Sequence, residues 1–566
     1  MKKTLILLIT LLAIDLAAQA QQRKVWASGA ARSIFLQNEL DAGDDSITSR
    51  KLNSGHALVD LAVNAKPNEQ TYLHAMVRIR NDFGGFWGSG ITFDMRQLYL
   101  KGLVKDAVRY QLGDINYRLT PYTFFNHDEE LSAHRSEALD IYREITRYDL
   151  FYTDDNTWRQ QGAAVDFGLD FPGYVHGMEF NFFAFRNRPT DFGGQSERIF
   201  FGGNAALQTQ HFTVAGNYVD LLDLVGTSNN DQSLHNPVAT ANVEVDHEVN
   251  DMTFAFRSES GISQMYTLED PSSTTLRDYF YDVKLVLEKG KNMSVGLNYL
   301  NIGSDFRSVG AQNKRVNYEA QNLLYTRIGN EQVVRPLTQL DLIQDVSFYR
   351  QQLRPGLQAY APQFDNIMPY GTATPNRKGL VANATYQTSN ELVKAEASYK
   401  MLSEVVGQGT EDLRNFNAID FKLDLGLDTL LPSWNKDLEL SLGVITQQTT
   451  RETTPMEGNI DLSSLILDLG LKVELIENLD LVGNYRVINS EGNELLAMRD
   501  VYTEVVDFQE FSTNMEQNML TLALRYHFDD QNALNAVWQN LNFKDSATDV
   551  PEYSVQQFGI VYSMRF

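Results

Sequence analysis

Cysteine is absent from the 566-residue chain, which excludes stabilisation by disulfides and attachment to a membrane through an acylated N-terminal cysteine. Beyond the first twenty residues no window approaches 18 apolar residues, so helical membrane spans are excluded. Basic residues are scarce as well, because 48 Lys and Arg stand against 73 Asp and Glu, for a net charge of −25. This surplus of acids excludes a nucleic-acid partner.

The first twenty residues have the order of a secretory signal peptide. Lys2 and Lys3 precede an apolar stretch from residue 5 to 18, and the stretch ends in Ala18-Gln19-Ala20, which is an A-x-A cleavage site. We therefore expect residues 1–20 to be removed on export and residues 21–566 to form a single domain.

Apolar and polar side chains alternate in stretches of about ten residues that recur along the mature chain. In the last stretch one face carries only apolar residues, namely Phe558, Ile560, Tyr562, Met564 and Phe566. Period-2 alternation is expected when one face of a strand meets lipid and the other meets a lumen. Since only a closed barrel can satisfy every backbone hydrogen bond in hydrocarbon without helices, the repetition predicts an all-β, antiparallel, up-and-down transmembrane β-barrel.

The pattern predicts 22 strands. They lie near 24–40, 55–66, 71–82, 91–103, 107–119, 157–171, 175–188, 198–210, 212–226, 237–248, 251–266, 275–289, 292–306, 377–389, 391–405, 414–431, 437–451, 459–477, 479–490, 513–529, 532–544 and 553–566. Connections after even strands are short, whereas those after odd strands are long, as expected for periplasmic turns and extracellular loops. The longest loops are 120–156 and 307–376, and 491–512 is also long. All fourteen prolines fall outside strand interiors, with Pro237 at the first residue of a strand.

The signal peptide, the even run of strands and the closing segment that ends in Phe566 resemble the porin-like outer-membrane β-barrels of Gram-negative-type bacteria, across essentially the whole mature chain. The resemblance implies an outer-membrane location, contact with outer-membrane lipid, and recognition of the C-terminal aromatic strand by the barrel assembly machinery. The chain departs from TonB-dependent receptors, which share a 22-strand barrel, because its first strand follows the signal peptide almost directly. We therefore expect no plug domain and no plugged active transporter.

The two longest loops have opposite charge. Between residues 121 and 157 nine acids face three arginines, for a net of −6, whereas residues 306–378 hold nine bases and five acids, for a net of +4. Helical spacing of apolar residues within 129–148 predicts a short amphipathic helix. A barrel this wide must be filled or narrowed, so the charge contrast predicts loops that dock on each other or on the wall as a constriction or lid. The alternative is that both are solvated surface loops.

Strands two to four are predicted to present a cluster of opposite charges to the lumen. Its members are Asp60, Arg78, Arg80, Asp94 and Arg96. Facing acids and bases create a transverse field that selects polar solutes. The alternative is an ion-pair network that braces the wall.

Catalytic and cofactor motifs are missing: the chain has no H-E-x-x-H, no G-x-S-x-G and no Gly-rich phosphate loop. We therefore expect neither an enzyme nor a bound cofactor, and the acidic segment 41–45 is interpreted as solvated rather than as a calcium site. The sequence favours a channel for small polar solutes. The alternative is a non-conducting structural or docking barrel that binds an envelope protein, such as a subunit of a secretion or surface-assembly complex.

Overall fold

The computed structural model of the protein describes residues 24–43, 47–83, 90–130, 136–151, 156–229, 233–268, 275–329, 332–430, 436–454, 458–500 and 505–566. The predicted signal peptide, residues 1–20, lies outside the described residues, as do residues 131–135 of the predicted loop helix.

One antiparallel sheet of 22 strands dominates the described part of the chain. Its first half comprises β1 (Val25–Asp41), β2 (Arg50–Asn68), β3 (Thr71–Asp82), β4 (Ile91–Val104), β5 (Val108–Ile115), β6 (Gln160–Asp170), β7 (Val175–Arg188), β8 (Arg198–Thr209), β9 (Phe212–Asp223), β10 (Ser233–Val249), β11 (Met252–Leu268), β12 (Leu276–Lys289) and β13 (Met293–Ile302). A separate two-stranded ribbon, β14 (Arg327–Ile328) and β15 (Val333–Val334), lies in the following loop. The sheet resumes with β16 (Arg377–Gln387), β17 (Val393–Ser403), β18 (Asn415–Gly426), β19 (Leu438–Arg451), β20 (Ile460–Ile476), β21 (Leu479–Arg499), β22 (Val505–Asp529), β23 (Asn532–Asp545) and β24 (Tyr553–Arg565).

The sheet closes on itself. Each barrel strand pairs with its neighbours in the chain, and β1 pairs antiparallel with β24 from Ala30 opposite Arg565 to Asp41 opposite Ser554. Closure leaves no sheet edge unpaired, which is what a strand structure in a bilayer requires. The predicted 22-strand up-and-down barrel is thereby confirmed.

The two faces of the wall differ as the alternation predicts. In β24, Phe558 and Ile560 are 41% and 42% exposed on the outer face, whereas Gln557 and Val561 are each 2% exposed on the inner face. The same outward exposure of large apolar residues runs along β3, β4 and β22, for example at Phe93. The outside of the barrel is therefore apolar, as expected for contact with lipid.

Two details of the sequence-based prediction are wrong. The stretch 491–512 is not one long loop, because β21 and β22 stay paired as far as Arg499 and Val505 and form a projecting hairpin. Two prolines lie inside strands. Pro237 lies inside β10 rather than at its start, where the pairing of β10 with β11 is interrupted between His235 and Val238, and Pro67 lies near the end of β2, where the pairing with β3 shifts between Ala65 and Asn68. Each irregularity accommodates a residue that cannot donate to the ladder.

Two long connections fold into the barrel. Residues 116–159 carry helix α1 (Glu137–Leu150), which includes most of the predicted amphipathic helix, and residues 303–376 carry helix α2 (Gln339–Gln344) and the β14–β15 ribbon. None of the helices in the described residues is long and apolar enough to cross a membrane. Buried apolar side chains of both loops pack with inward-facing wall residues, so the core of this protein lies inside the barrel.

Candidate functional site in the barrel lumen

Asp60 on β2 is the centre of a charge cluster on the inner wall. Its side chain is 0% exposed and accepts two hydrogen bonds from Arg78 on β3, from Nε and Nη2, each 2.8 Å long. Arg96 on β4 lies 3.5 Å away through Nε. The alternation of these strands places all three side chains in the lumen, and bidentate geometry makes the Arg78 pair the strongest of these contacts.

Helix α1 completes the cluster with its last turn. Tyr148 donates a hydrogen bond of 2.6 Å from its hydroxyl to Asp60, and its ring lies 4.3 Å from the Arg96 guanidinium. Asp149 accepts hydrogen bonds from Arg32 of β1 at 2.6 Å and from Arg78 at 2.9 Å. The wall and the loop are thereby joined through three arginines and two aspartates.

The pKa values of both helix residues, Tyr148 and Asp149, are shifted by their surroundings. Burial raises the pKa of Tyr148 to about 12, and its hydrogen bond to Asp60 adds to the effect. Burial alone would also raise the pKa of Asp149, but Arg32 and Arg78 outweigh it and hold that pKa below its usual range. Asp149 is therefore an anion at neutral pH and pairs with both arginines.

Arg80 and Asp94, which the sequence pattern grouped with this cluster, do not join it. Arg80 forms an ion pair with Asp82 at 2.8 Å near the end of β3. Asp94 lies opposite Arg78 in the β3–β4 register, but it is exposed and forms no ion pair among the described residues. The pairing of β3 with β4 shifts between Met76 and Val77. Arg96 is the extra residue in this bulge, which turns it into the buried cluster.

Sequence reasoning missed Arg32, Tyr148 and Asp149. Alternation in β1 does assign Arg32 to the inner face, beside Ile34, so this residue could have been found. The two helix residues carry no such signal, because a loop's docking position does not follow from strand alternation.

The other end of α1 is fixed to β20 and β22, on the far side of the seam between β24 and β1. The backbone N–H of Ser136 donates to Asp468 of β20 at 3.0 Å, and Glu137 forms ion pairs with Arg525 of β22 at 2.5 Å and with Lys472 of β20 at 3.4 Å. A helix of 14 residues is about 21 Å long. It therefore runs along one sector of the inner wall, from β20 and β22 past β24 to the cluster on β1–β4.

Helix α1 also separates two cavities. One, of about 580 Å³, is lined by Glu137 and Asp140 of the helix and by the ends of β16–β20 that carry the short turns. The other, of about 460 Å³, is lined by Tyr142 and Asp149 of the helix, by the long-loop ends of β1–β3 and by α2. The helix thus has one cavity at each of its two ends, and the two cavities lie towards opposite ends of the lumen.

The second loop contacts both α1 and the wall. Thr146 of α1 donates to the carbonyl oxygen of Ile343 in α2 at 2.8 Å. Gln344 donates to Gln539 of β23 at 2.7 Å and to Gln557 of β24 at 2.9 Å. These are neutral amide contacts, which contribute modestly because water can replace them.

An aromatic cluster anchors the start of the first loop. The ring centroid of Phe124 lies 5.1 Å from that of Phe183, 5.5 Å from that of Phe185 and 5.0 Å from that of Phe200. Tyr122 stacks on Phe280 at 3.9 Å. Residues 120–127 therefore have an apolar attachment to β7, β8 and β12, whereas both ends of α1 are held by polar contacts.

The predicted assembly signal occupies the closing strand. Phe558, Ile560, Tyr562, Met564 and Phe566 share the outer face of β24, next to the β1 seam. Within the described residues, no group of three or more His, Asp or Glu side chains is arranged to hold a metal ion.

The closed barrel, its apolar outside and its polar lumen define a porin-like outer-membrane β-barrel. No protein-family model matches the chain, and no curated protein sequence matches it. Among solved structures, the chain is similar to the copper transporter OprC, with 9% identity and a TM-score of 0.48, over 96% of this chain and 80% of that one. It is also similar to OccK8 (OprE) of Pseudomonas aeruginosa, with 8% identity and a TM-score of 0.37, over 96% and 98%. A BenF-like porin from Pseudomonas fluorescens Pf-5 has 10% identity and a TM-score of 0.32, over 95% and 99%.

Proposed function

We propose that this protein is an outer-membrane channel for small polar solutes, that loops 120–156 and 307–376 gate it, and that α1 is the gate. The observation that carries the proposal is the attachment of α1, which lies inside the lumen between two cavities and is held at each end by ion pairs and hydrogen bonds. Residues 1–20 act as the signal peptide in this proposal, and residues 21–566 form the single channel domain.

The attachment is reversible because the wall keeps its own partners when the helix leaves. Arg78 retains both hydrogen bonds to Asp60, so Arg78 keeps its counterion when Asp149 leaves. With α1 displaced, Arg32, Arg78 and Arg96 would face the lumen with Asp60, for a local net charge of 3 − 1 = +2. Such a wall imposes a transverse field on passing solutes.

The test is a comparison of single-channel conductance in planar bilayers. Residues 137–150 are replaced by a Gly/Ser linker of equal length, which removes helix α1 and keeps the aromatic anchor of residues 120–127. We expect a larger conductance than in the unmodified protein. Equal, measurable conductance in both proteins would refute α1 as the gate.

A barrel that conducts in neither form would support the alternative of a structural or docking barrel. Purification with a stably bound envelope protein would then be expected. This alternative is favoured by one observation, namely that both long loops pack inside the lumen with apolar cores.

A further inference from the structure

A third cavity opens at the long-loop end of the barrel, between the loop 303–376 and the β21–β22 hairpin. Its volume is about 360 Å³, which falls in the range of small-molecule sites. Its polar lining is dominated by Arg377, Arg414, Arg499, Tyr360 and Tyr370. It belongs to neither of the cavities that α1 separates.

The arginines of this cavity are not equivalent. Arg414 is neutralised by Glu404 at 3.0 Å and by Glu494 at 3.1 Å. Arg377 is only 7% exposed, and in the described part of the chain it forms no ion pair. Its guanidinium lies 3.9 Å from the ring centroid of Phe416.

Arg377 retains donors for a ligand. Three of its hydrogen bonds go to carbonyl oxygens, from Nε to Ile367 at 2.8 Å, from Nη1 to Asn376 at 3.1 Å and from Nη2 to Asn366 at 3.4 Å. A guanidinium has five N–H groups. Its positive charge is therefore solvated by carbonyl dipoles, and Glu404 and Glu494 act on it from beyond ion-pair distance. Two of its N–H groups make none of these bonds.

Positive charge converges on the buried Tyr370 ring. Burial raises the pKa of Tyr370, and the positive charges of Arg499, Arg307 and Arg377 oppose that rise. Burial lowers the pKa of Arg307 to about 10 and Arg499 adds to the effect, whereas Asp305 and Asp278 oppose it. A negative ligand beside Tyr370 would relieve the repulsion between Arg499 and Arg307.

The other half of the cavity is apolar. Leu357, Leu496 and Met498 line it, and the Tyr360 ring meets that of Tyr370 edge-on at 6.0 Å. A fully solvated ion such as inorganic phosphate would leave these surfaces without a partner. A ligand with an apolar or aromatic body would cover them.

We propose that this cavity binds a small organic oxyanion, a carboxylate or a phosphate ester, through Arg377 and Arg499, and packs the ligand's compact apolar body against Tyr360 and Met498. The interpretation of this cavity as the entry site of the channel rests on the proposed function. Because loop 303–376 supplies one wall of the cavity and the partners of α1, an occupied site would be coupled to the gate.

The proposal is tested by calorimetric titration of the full-length protein, refolded in detergent, with benzoate, phenyl phosphate, inorganic phosphate and neutral benzamide. We expect benzoate, phenyl phosphate or both to bind at least about tenfold more tightly than benzamide, the scale of one charge-assisted hydrogen bond. Whichever of benzoate and phenyl phosphate binds more tightly shows whether the site prefers a carboxylate or a phosphate ester. Tighter binding of inorganic phosphate than of either aromatic anion would overturn the proposal, as would equal binding of benzamide.

Two variants and a matched control locate the site. Gln509→Glu places a negative charge at the exposed rim of the cavity without removing a buried contact, and Arg499→Gln removes a positive charge. Each should weaken binding about tenfold. Arg354→Gln removes an equal charge from an exposed position of the same loop that does not line the cavity, and it should leave binding unchanged.

Equal weakening by the control would place the effect in the general charge of the loop and refute the site. Because binding is measured without current, the two proposals fail separately. Anion binding to a barrel that never conducts would refute the channel and retain the site, whereas a gated conductance without anion binding would do the reverse.

Discussion

Neutralising Asp149 should open the lumen. In Asp149→Asn the amide is nearly isosteric with the carboxylate, so α1 keeps its shape while the ion pairs to Arg32 at 2.6 Å and to Arg78 at 2.9 Å are lost. Nothing else that fixes this end of the helix is removed, because Tyr148 still bonds to Asp60.

The expected magnitude follows from what remains paired. Removing one partner of a buried ion pair costs about 3–5 kcal/mol when the other charge is left alone. Here Arg78 keeps Asp60, and Arg32 keeps a contact of 3.0 Å with His56, so we expect a loss of about 2 kcal/mol from docking. Since 1.4 kcal/mol is a factor of ten, the ratio of docked to undocked helix should fall about thirtyfold.

The assay is the open probability of single channels at neutral pH, with Glu144→Gln as the control. Glu144 lies on the same helix and, among the described residues, forms no ion pair, so its neutralisation removes one carboxylate without undoing the attachment. We expect a clear rise in open probability for Asp149→Asn and none for the control. Equal behaviour of the two variants would refute the reasoning.

The same ion pairs predict a pH dependence. The pKa of Asp149 is lowered in the docked state, so its contribution to docking is fully present above its ordinary pKa of about 3.9. That contribution is lost as the pH falls through the lowered value. Acid should therefore increase the open probability of the unmodified protein, and Asp149→Asn should reduce this response.

Three further changes test the loops and the closing strand. Phe124→Ala should cost about 3–5 kcal/mol of stability, because the ring is buried among three phenylalanines. The loss would be measured as faster proteolytic cleavage within residues 116–159. A Cβ at Gly559 would lie 2.1 Å from the Tyr142 hydroxyl, so Gly559→Ala should displace α1 and raise conductance. Adding Tyr142→Phe should return the conductance to that of the unmodified protein. The hydroxyl can be removed without loss because it is buried without a hydrogen-bond partner. Deletion of Phe566 should lower the yield of folded barrel in cells, measured as the heat-modifiable band on gels, while refolding of the purified chain in detergent stays unchanged.

The barrel could be predicted from the sequence because every strand repeats the same physical requirement. A residue facing lipid must be apolar, and alternation in β22 and β24 therefore marks the two faces directly. The charge cluster around Asp60 could be predicted only in part. Alternation assigned Asp60 and Arg78 to one wall, but the bulge at Arg96 and the pairing of Arg80 with Asp82 depend on local register and side-chain reach.

The loops were less accessible, because their positions depend on contacts across the lumen rather than on a repeat. Their opposite charges predicted docking, and the structure has them in contact, yet the contacts between α1 and α2 are neutral, as at Thr146 and Ile343. The ion pairs of α1 are made with the wall instead. Net charge therefore indicated that the loops associate, and the acids of residues 128–130 do act on Lys314 and Arg315 of the other loop. It did not indicate that α1 pairs with the wall.

The arrangement around Asp60 favours a docking site over a simple brace. A brace needs only groups of the wall, and Arg78 with Arg96 already supplies Asp60 with positive charge from its own neighbouring strands. Tyr148 and Asp149 are additional ligands that arrive from a loop. Asp60 is thus paired without the helix, while the wall keeps positive charge and free donors for Asp149. Such a wall is preorganised for a reversible contact, because little side-chain ordering remains to be done when α1 returns.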